Sequence, residues 1–371
     1  KSFNSELGVP LSIIGASSGW NNPLSWIGVM LSGVGQIFKS GYPKTLVLEV
    51  GADRPGDIST IAKWLKPHVV VITRLPEVPV HIEFFPTLDS LIKEKLSLAS
   101  GLRKEGTLVL NADDPRVFAA KEQFRARTTT FGLSDFSDIR ASNVQLLEPT
   151  DTMPGGLTFK LDFNGKSLPV MLPNIYSDGF LTVALAALSV AYVSGVNMVT
   201  AIEDLATYET PPGRVHLIAG IKDSVIIDDT YNSSPAACEA GLRMLRDIPF
   251  GKRKIAIIGD MLELGKHTND AHVEVGKLAE LCADVLITVG LRAKEIARGA
   301  REEGMSAKKI LECEDALIAG EAMQHMIKSE DIIYIKGSQG MRMERTVKML
   351  MAEPERAPEL LVRQEAVWEK K

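Results

Sequence analysis

Two aspartates, a tyrosine and an asparagine lie close together in the stretch "IIDDTYNSSPAA", which spans residues 226–237. The β-branched run before them is typical of a buried strand, and the proline after them is typical of the first turn of a helix. In α/β proteins, ligands bind where strands end and helices begin, so Asp229, Tyr231 and Asn232 are candidate ligand contacts. These residues alone do not specify which ligand they would bind.

A second set of candidates could bind a divalent cation. Glu49 and His81 each follow an apolar run typical of a strand, and Lys95 lies in the helical pattern that comes next. A carboxylate and an imidazole at one edge of a parallel sheet can share a cation, although magnesium prefers oxygen ligands. Each residue also has an ordinary alternative role. Glu49 could be an ion-pairing carboxylate, His81 could be a hydrogen-bonded loop histidine, and Lys95 could be a surface lysine. The spacing alone does not decide between these alternatives.

Two further turns follow apolar runs and carry polar residues. In "IGDMLELG" (258–265), Asp260 could contact a ligand or cap the segment that follows. In "KGSQGMRMER" (336–345), Lys336 and the backbone N–H groups of the turn would suit an anion, whereas Ser338 could simply cap the next helix. The sequence contains no G-x-x-x-x-G-K-[ST] motif, so these 371 residues lack the phosphate-binding P-loop.

Patterns typical of strands and helices alternate along most of the chain, which predicts an α/β fold with mainly parallel sheets. The predicted strands cover 44–53, 68–75, 107–115, 224–228, 254–260, 284–290 and 331–337, and predicted helices include 57–65, 87–102 and 180–195. Short strands within 139–172, with Asn164-Gly165 as a hairpin turn, predict a small antiparallel sheet. The Pro/Gly-rich stretch 208–214 is the predicted boundary between a first domain (1–207) and a doubly wound second domain (208–371).

The composition argues against several classes of protein. A net charge of −5 from 42 basic and 47 acidic residues gives no electrostatic indication of nucleic-acid binding. The three cysteines are too far apart in sequence for a zinc motif or a disulfide framework, and they fit a reducing cytoplasm. No run reaches the ~20 apolar residues of a transmembrane helix. The most apolar segment, Trp26–Phe38, is interrupted by glycines, and a core-facing helix is favoured there over an interfacial one.

Taken together and in order, these motifs resemble those of the Mur ligase family, which are ATP-dependent, amide-bond-forming enzymes of peptidoglycan precursor synthesis. The resemblance covers nearly the whole chain, and the ordered set is more specific than any single motif. The stretches that carry it are "FNSELGVPLSIIG" (3–15), "LEVGADRPGDI" (48–58), "VVVITR" (69–74), "VHIEFF" (80–85), "LVLNADDP" (108–115), "PPGR" (211–214), "IIDDTYNSSPAA" (226–237), "IGDMLELG" (258–265), "AHVEVG" (271–276) and "KGSQGMRMER" (336–345).

The resemblance implies three domains: one for the UDP-sugar end of the substrate, a central ATPase with a P-loop, and a Rossmann-like domain for nucleotide and incoming amine. This chain would hold most of the central domain (1–207) and all of the last (208–371), with the first domain and the P-loop lying before Lys1. Without those parts, we expect the chain as given to have little or no ligase activity.

The resemblance also implies a reaction. ATP would phosphorylate the terminal carboxylate of UDP-N-acetylmuramoyl-tripeptide, and the amine of D-alanyl-D-alanine would attack the acyl phosphate, with ADP and phosphate as products. Mg²⁺ would neutralise the phosphates and would be held by Glu49, His81 and Lys95, the last being the lysine that the family carbamylates. The enzyme would be a cytoplasmic monomer.

Roles for further residues follow from the same resemblance. Asp229, Tyr231 and Asn232 match the stretch that contacts the ribose and adenine of ATP. Arg214 matches the arginine that opens the last domain and reaches toward the phosphates. Asp229, Tyr231 and Asn232 would form the nucleoside side of an ATP site.

Asp260, Lys336 and Ser338 lie in turns that would face the incoming dipeptide. The stretch "SDGFLTVALAA" (177–187) departs from the family pattern, because it lacks the histidine and asparagine that contribute to adenine binding. This departure and the missing P-loop leave open a non-catalytic, nucleotide-binding relative of the family. A sibling ligase with a different amino substrate is a third alternative.

Overall fold

The structure is a computed structural model of the chain that describes residues 4–19, 22–38, 41–75, 82–151, 153–365 and 368. The chain divides into two compact units: the first comprises the described residues within 1–72, 81–108 and 119–128, and the second comprises the rest. The predicted domain boundary between residues 207 and 208 lies inside the second unit and stays a prediction. No helix among the described residues is long and apolar enough to cross a membrane.

In the N-terminal third of the chain, the described residues form more helices than strands. Its helices and strands are α1 Gly8–Ile14, α2 Pro23–Ile37, α3 Asp57–Leu65, β1 Val69–Ile72, α4 Leu88–Leu96, β2 Thr107–Asn111, α5 Pro115–Ala119 and β3 Arg127–Gly132. The predicted elements at 57–65, 68–75, 87–102 and 107–115 are confirmed, with a short 3₁₀ helix continuing α4. α4 begins at a capping box, in which the side chains of Thr87 and Ser90 each accept the other residue's backbone N–H.

The predicted strand over residues 44–53 is wrong. Residues 45–50 have no regular secondary structure, and Leu46 and Val47 are 41% and 91% exposed. An apolar run becomes a strand only where a partner strand pairs with its backbone and other elements cover its side chains. The described part of the chain provides no such partner here, although the Gly51 N–H donates to the Asn4 carbonyl over 2.8 Å.

The expectation that the apolar segment 26–38 faces the core is also wrong. The segment forms α2, which begins after the N-cap Asn22 and contains no buried residue. One face of α2 contacts α1, where Gln36 Nε2 donates to the Ile14 carbonyl over 3.0 Å. The neighbouring face exposes large apolar side chains, namely Leu24, Ile27, Met30, Leu31, Val34, Ile37 and Phe38. A helix can bury an apolar stripe only against another apolar surface, and the described residues cover only the side that faces α1.

The first sheet has six strands. After β3, the chain adds β4 Ile139–Leu147, β5 Gly156–Phe163 and β6 Lys166–Pro173, and the order in the sheet is β1-β2-β3-β4-β5-β6. β3 pairs with β4 in parallel, whereas β4, β5 and β6 are antiparallel neighbours. The predicted antiparallel strands are thus confirmed, and they continue this sheet. Asn164 and Gly165 form the predicted hairpin turn, both with positive φ (45° and 71°).

The second sheet also has six strands and confirms the predicted doubly wound fold. The remaining elements are α6 Asp178–Val193, α7 Met198–Ala206, β7 His216–Gly220, β8 Ser224–Asp229, α8 Pro235–Asp247, β9 Arg253–Gly259, α9 Thr268–Cys282, β10 Val285–Val289, α10 Lys294–Glu303, β11 Ile310–Cys313, α11 Ala316–Met326, β12 Asp331–Lys336, α12 Glu344–Leu350 and α13 Ala357–Leu360. Their order in the sheet is β11-β10-β9-β12-β8-β7, with only β7 antiparallel to its neighbour.

Apolar residues cover both faces of this second sheet. Successive residues of β9 point to opposite faces, so Ala256 and Ile258 belong to one buried cluster while Ile255 and Ile257 belong to another. Helices α8 and α9 contribute to the first cluster, and α11 and α12 contribute to the second. This double coverage explains why the strands are nearly continuous apolar runs, and why polar residues occur at their ends.

Candidate functional site

The second sheet brings several candidate residues to one edge. Strand order reverses between the neighbouring strands β9 and β12: the chain leaves β9 for α9 on one face of the sheet, and it leaves β12 for α12 on the other face. In such sheets, ligands bind in the crevice beyond the carboxyl ends of the strands at the reversal. Asp229 ends β8, Asp260 follows β9 and Lys336 ends β12, and Lys336 is the direct register partner of Asp229.

Lys336 and Asp229 form a buried ion pair. Lys336 is 2% exposed, and its Nζ lies 2.6 Å from Asp229 Oδ2. The Tyr334 hydroxyl donates to the same oxygen over 3.0 Å, and Lys336 Nζ also donates to the Asn232 carbonyl over 3.0 Å. Burial raises the pKa of the Tyr334 phenol, so this group remains a donor. Asp229, Asn232 and Lys336 therefore share one network, in which the lysine neutralises a carboxylate of the protein itself.

Arg214 and Tyr231 form a stacked pair beside this network. The guanidinium carbon of Arg214 lies 4.1 Å from the centroid of the Tyr231 ring, which is a cation–π distance. Arg214 is exposed and Tyr231 is half-buried. Asn232 Oδ1 accepts the Gln339 N–H over 3.4 Å, which connects the turn after β8 to the turn after β12. The residues predicted to contact a nucleotide are thus close neighbours.

Asp228, the first of the two aspartates in the 226–237 stretch, also contributes to this region, although the sequence pattern assigned it no role. Its fully buried carboxylate accepts hydrogen bonds from the Gly213 N–H (2.9 Å), the Thr230 N–H (3.2 Å) and the Thr230 hydroxyl (2.6 Å). Burial raises the pKa of Asp228 to about 6. The bond to Gly213 holds the 211–214 stretch, and with it Arg214, against the end of β8. The two adjacent aspartates in the sequence are the signal that could have identified Asp228. Adjacent residues of a strand face opposite sides of the sheet, so the two carboxylates must make different contacts.

Asp260 and Ser338 hold loops together at the same edge. Asp260 Oδ1 accepts the Ala293 N–H over 2.7 Å just before α10, and the Asp260 carbonyl accepts the Ser338 N–H over 3.0 Å. Ser338 Oγ accepts the Leu262 N–H over 2.9 Å. The alternative that Ser338 caps its own helical turn is wrong, since its hydroxyl makes no capping bond there.

His272 is a second residue that the sequence analysis missed. It is fully buried in α9, its Nε2 accepts the Met261 N–H over 3.0 Å, and its Nδ1 lies 2.7 Å from the Thr268 carbonyl. Burial lowers the pKa of the imidazole, which favours the neutral ring with Nδ1 as the donor. His272 therefore holds the loop that follows β9. It lies in the "AHVEVG" stretch, which carried the resemblance without a role of its own.

The structure describes two of the three candidate cation ligands. Glu49 is exposed, and its Oε1 accepts a hydrogen bond from Asn4 Nδ2 over 3.0 Å. Lys95 is half-buried in α4, and burial lowers the pKa of its ammonium. His81 lies outside the described residues. Within the part of the chain that is described, no three His, Cys, Asp or Glu side chains group as a metal site would require, so the site at Glu49, His81 and Lys95 stays a prediction.

Two family models match the chain. Residues 35–173 match the "Mur ligase middle domain", and residues 213–339 match "Mur ligase, glutamate ligase domain". The matches leave residues 174–212 between them, a range that includes the predicted domain boundary.

Several curated relatives that share one name match most of the chain. All are called UDP-N-acetylmuramoyl-tripeptide–D-alanyl-D-alanine ligase. The Bacillus subtilis protein is 27% identical over 83% of this chain and 64% of its own length. The Escherichia coli protein is 27% identical over 82% of this chain and 64% of its own length. The chain thus spans less than two thirds of these two relatives.

Solved structures with the same fold include two proteins titled MurF. The Thermotoga maritima ligase, solved in complex with ADP, superposes with a TM-score of 0.74 over 94% of this chain and 77% of its own, at 24% identity. The Acinetobacter baumannii protein gives a TM-score of 0.73 over 91% of this chain and 72% of its own, also at 24% identity. The fold, the ordered motifs and both domain matches agree, and the chain belongs to the Mur ligase family, whose middle and C-terminal domains it contains.

Proposed function

We propose that this protein is an ATP-dependent ligase that adds D-alanyl-D-alanine to UDP-N-acetylmuramoyl-tripeptide. Relatives named for that reaction match more than four fifths of the chain. The observation that carries the proposal within this chain is the network of Asp229, Lys336 and Asn232, with the Arg214–Tyr231 stack beside it, at the reversal of strand order. A crevice of this kind is where open α/β sheets bind nucleotides.

The proposed reaction forms an amide in two steps. The γ-phosphoryl group of ATP passes to the terminal carboxylate of the tripeptide, and ADP leaves. The amine of D-alanyl-D-alanine then attacks the acyl carbon, the C–O bond to phosphate breaks, and the amine loses a proton. Phosphoryl transfer depends mainly on positioning and on neutralising charge, so cationic groups at the site are expected to be important.

Each group at the sheet edge has a proposed role in this reaction. The exposed Arg214 guanidinium would contact the phosphates. Asp229, through the part of its side chain that is not buried, would contact the ribose, and Tyr231 and Asn232 would contact the base. Lys336 is neutralised by Asp229, so we propose that it acts by holding this turn in place.

The loops after β9 and β12 form the proposed dipeptide side of the site. Asp260 and Ser338 hold these two loops to each other through the bond between the Ser338 N–H and the Asp260 carbonyl. Lys336, which precedes the second loop, anchors the end of β12. We propose that all three residues shape the surface on which D-alanyl-D-alanine binds.

We propose Mg²⁺ as the metal, with Glu49, His81 and Lys95 as the residues that would hold it. The two of these residues that the structure describes, Glu49 and Lys95, fit a magnesium site. The Glu49 carboxylate is a hard oxygen ligand. The lowered pKa of Lys95 increases the fraction of neutral amine, which is the form that reacts with CO2 to give an oxygen-bearing carbamate. When bound, Mg²⁺ would supply neutralisation of phosphate charge.

The test uses the complete gene product, including any residues encoded upstream of Lys1. Purified protein is incubated with UDP-N-acetylmuramoyl-tripeptide, D-alanyl-D-alanine, ATP and Mg²⁺, and we measure ADP release together with the mass of the product. We expect ADP release that requires both substrates. A protein that neither binds ATP nor releases ADP would overturn the proposal. Turnover with another amine would indicate a sibling ligase, and ATP binding without turnover would indicate a non-catalytic relative.

Lys95 gives a sharper test of the proposed carbamate. We expect K95A to lose ligase activity and to regain part of it when short carboxylic acids are added, because they can replace the carbamate oxygens. K93A is the matched control, since Lys93 is an exposed lysine on the same helix and should be replaceable without loss. Equal activity of K95A and K93A would contradict a metal role for Lys95.

A further inference from the structure

The C-terminal segment 361–364 lies against the turn that follows β8. The Arg363 side chain is 6% exposed, and its guanidinium donates to two successive backbone carbonyls of that turn, those of Thr230 (3.1 Å) and Tyr231. The preceding residue, Val362, lies beside Gly213, where an added Cβ would be 3.1 Å from Val362 Cγ1. The segment therefore contacts both chain stretches that carry the proposed nucleotide contacts.

A buried carboxylate compensates the charge of Arg363. Glu344 is 1% exposed, and its Oε2 lies 3.1 Å from Arg363 Nη1 while its Oε1 lies 2.5 Å from Arg342 Nε. Arg342 Nη1 also donates to the Trp368 carbonyl over 2.9 Å. A buried carboxylate is tolerated when it is paired and hydrogen-bonded in this way. Arg363 itself has φ +60°, which is uncommon for a residue other than glycine, so its surroundings must hold it there.

Two buried cations together hold the whole 229–232 turn. Lys336 pairs with the Asp229 carboxylate and donates to the Asn232 carbonyl, while Arg363 binds the carbonyls of the two residues between them. The Tyr231 ring also has both arginines nearby, since the guanidinium carbons of Arg214 and Arg363 lie 4.1 Å and 5.8 Å from its centroid. The position of Tyr231 therefore depends on Arg363.

We propose that Arg363 is a positioning residue, which preorganises the Thr230–Tyr231 backbone for nucleotide binding. The inference rests on the proposed function. Arg363 would act through Tyr231 without touching the nucleotide. Removing it would leave two carbonyls without their charged donor and Glu344 with one arginine fewer, so nucleotide binding would have to order the turn. The loss should appear in the affinity for ATP, because preorganisation lowers the ordering cost of binding.

The experiment compares R363M, R363K and wild type in the complete gene product. We measure KM for ATP, KM for D-alanyl-D-alanine, kcat, the Kd for ATP by calorimetry, and Tm. We expect R363M to raise KM and Kd for ATP about tenfold, which corresponds to about 1.4 kcal/mol. KM for the dipeptide should not change. R363K should be intermediate, since an ammonium keeps the charge beside Glu344 but lacks the planar fork that reaches two carbonyls.

R356M is the matched control. Arg356 is an arginine of the same C-terminal region, but its side chain is 46% exposed and it pairs only with the surface carboxylates of Glu353 and Glu359 among the described residues. We expect R356M to leave both KM values unchanged. A shift in R356M equal to that in R363M would overturn the inference, because it would show a general effect of losing positive charge.

A purely structural role for Arg363 would give a different result. R363M would then lower Tm and kcat, through a smaller folded fraction, while KM for ATP stayed at the wild-type value; this outcome would overturn the inference. If R363M does not fold, R363K decides, since raised KM for ATP supports the inference and unchanged KM refutes it. Wild-type protein without ATP binding would overturn the proposed function itself, and the inference with it.

Discussion

Replacing Lys336 by methionine tests whether the Asp229–Lys336 pair stabilises the second sheet. The two side chains are 3% and 10% exposed, so the variant leaves a carboxylate that is mostly buried without its cation. Breaking a buried pair in this way typically destabilises a protein by about 3–5 kcal/mol. The Tyr334 hydroxyl would still donate to Asp229, so we expect K336M to lower the free energy of unfolding by about 3 kcal/mol, near the lower end of that range.

The assay is urea unfolding followed by far-UV circular dichroism, with two comparison variants. K252M is the matched control, because Lys252 pairs with Glu330 at the surface, where the two side chains are 76% and 51% exposed. We expect it to change stability by less than about 1 kcal/mol. The double variant D229N/K336M removes both charges and should recover part of the loss. A K336M loss no larger than that of K252M would refute the reasoning, as would a double variant that is no more stable than K336M.

Two further predictions concern pH dependence and helix packing. Burial raises the pKa of Asp228 from 3.8 to about 6, so the folded protein holds this proton more tightly than the unfolded chain, and stability should fall by about 3 kcal/mol as pH rises from about 4 to about 6. D228N should flatten the dependence of the free energy of unfolding on pH, measured by urea titrations at successive pH values. An unchanged dependence would contradict a raised pKa of Asp228. G276A should lower stability by about 1–3 kcal/mol, since the new Cβ would lie 2.0 Å from the Ile296 carbonyl oxygen where α9 and α10 cross. G28A, on the exposed α2 with nothing within 4 Å, should instead be neutral or stabilise by up to about 1 kcal/mol, and equal thermal shifts for the two variants would contradict this packing argument.

Local sequence patterns predict strands correctly where the fold supplies partner strands and covers both faces of the sheet. Strands β8, β9, β10 and β12 are apolar, β-branched runs, and they lie in the interior of a sheet whose two faces are covered. The run at 44–53 has the same pattern, yet residues 45–50 form no strand. A local run specifies a preference for strand, but it carries no information on whether a partner strand is present. The same limit explains α2. Its sequence pattern predicts a helix, but the pattern does not show that the apolar side chains of this helix are exposed.

For the site, too, the sequence determined some features and only the tertiary structure determined others. The sequence was sufficient to identify the strand ends that carry Asp229, Asp260 and Lys336, because strand periods and turn residues are local properties, and the ordered motifs identified the family. It did not show that Lys336 neutralises Asp229 across 107 positions in the chain, or that Arg363 binds the Tyr231 carbonyl across 132. Contacts at such separations depend on the order of strands in the sheet and on the path of the C-terminal segment. Those are products of packing over the whole domain, and no local pattern encodes them.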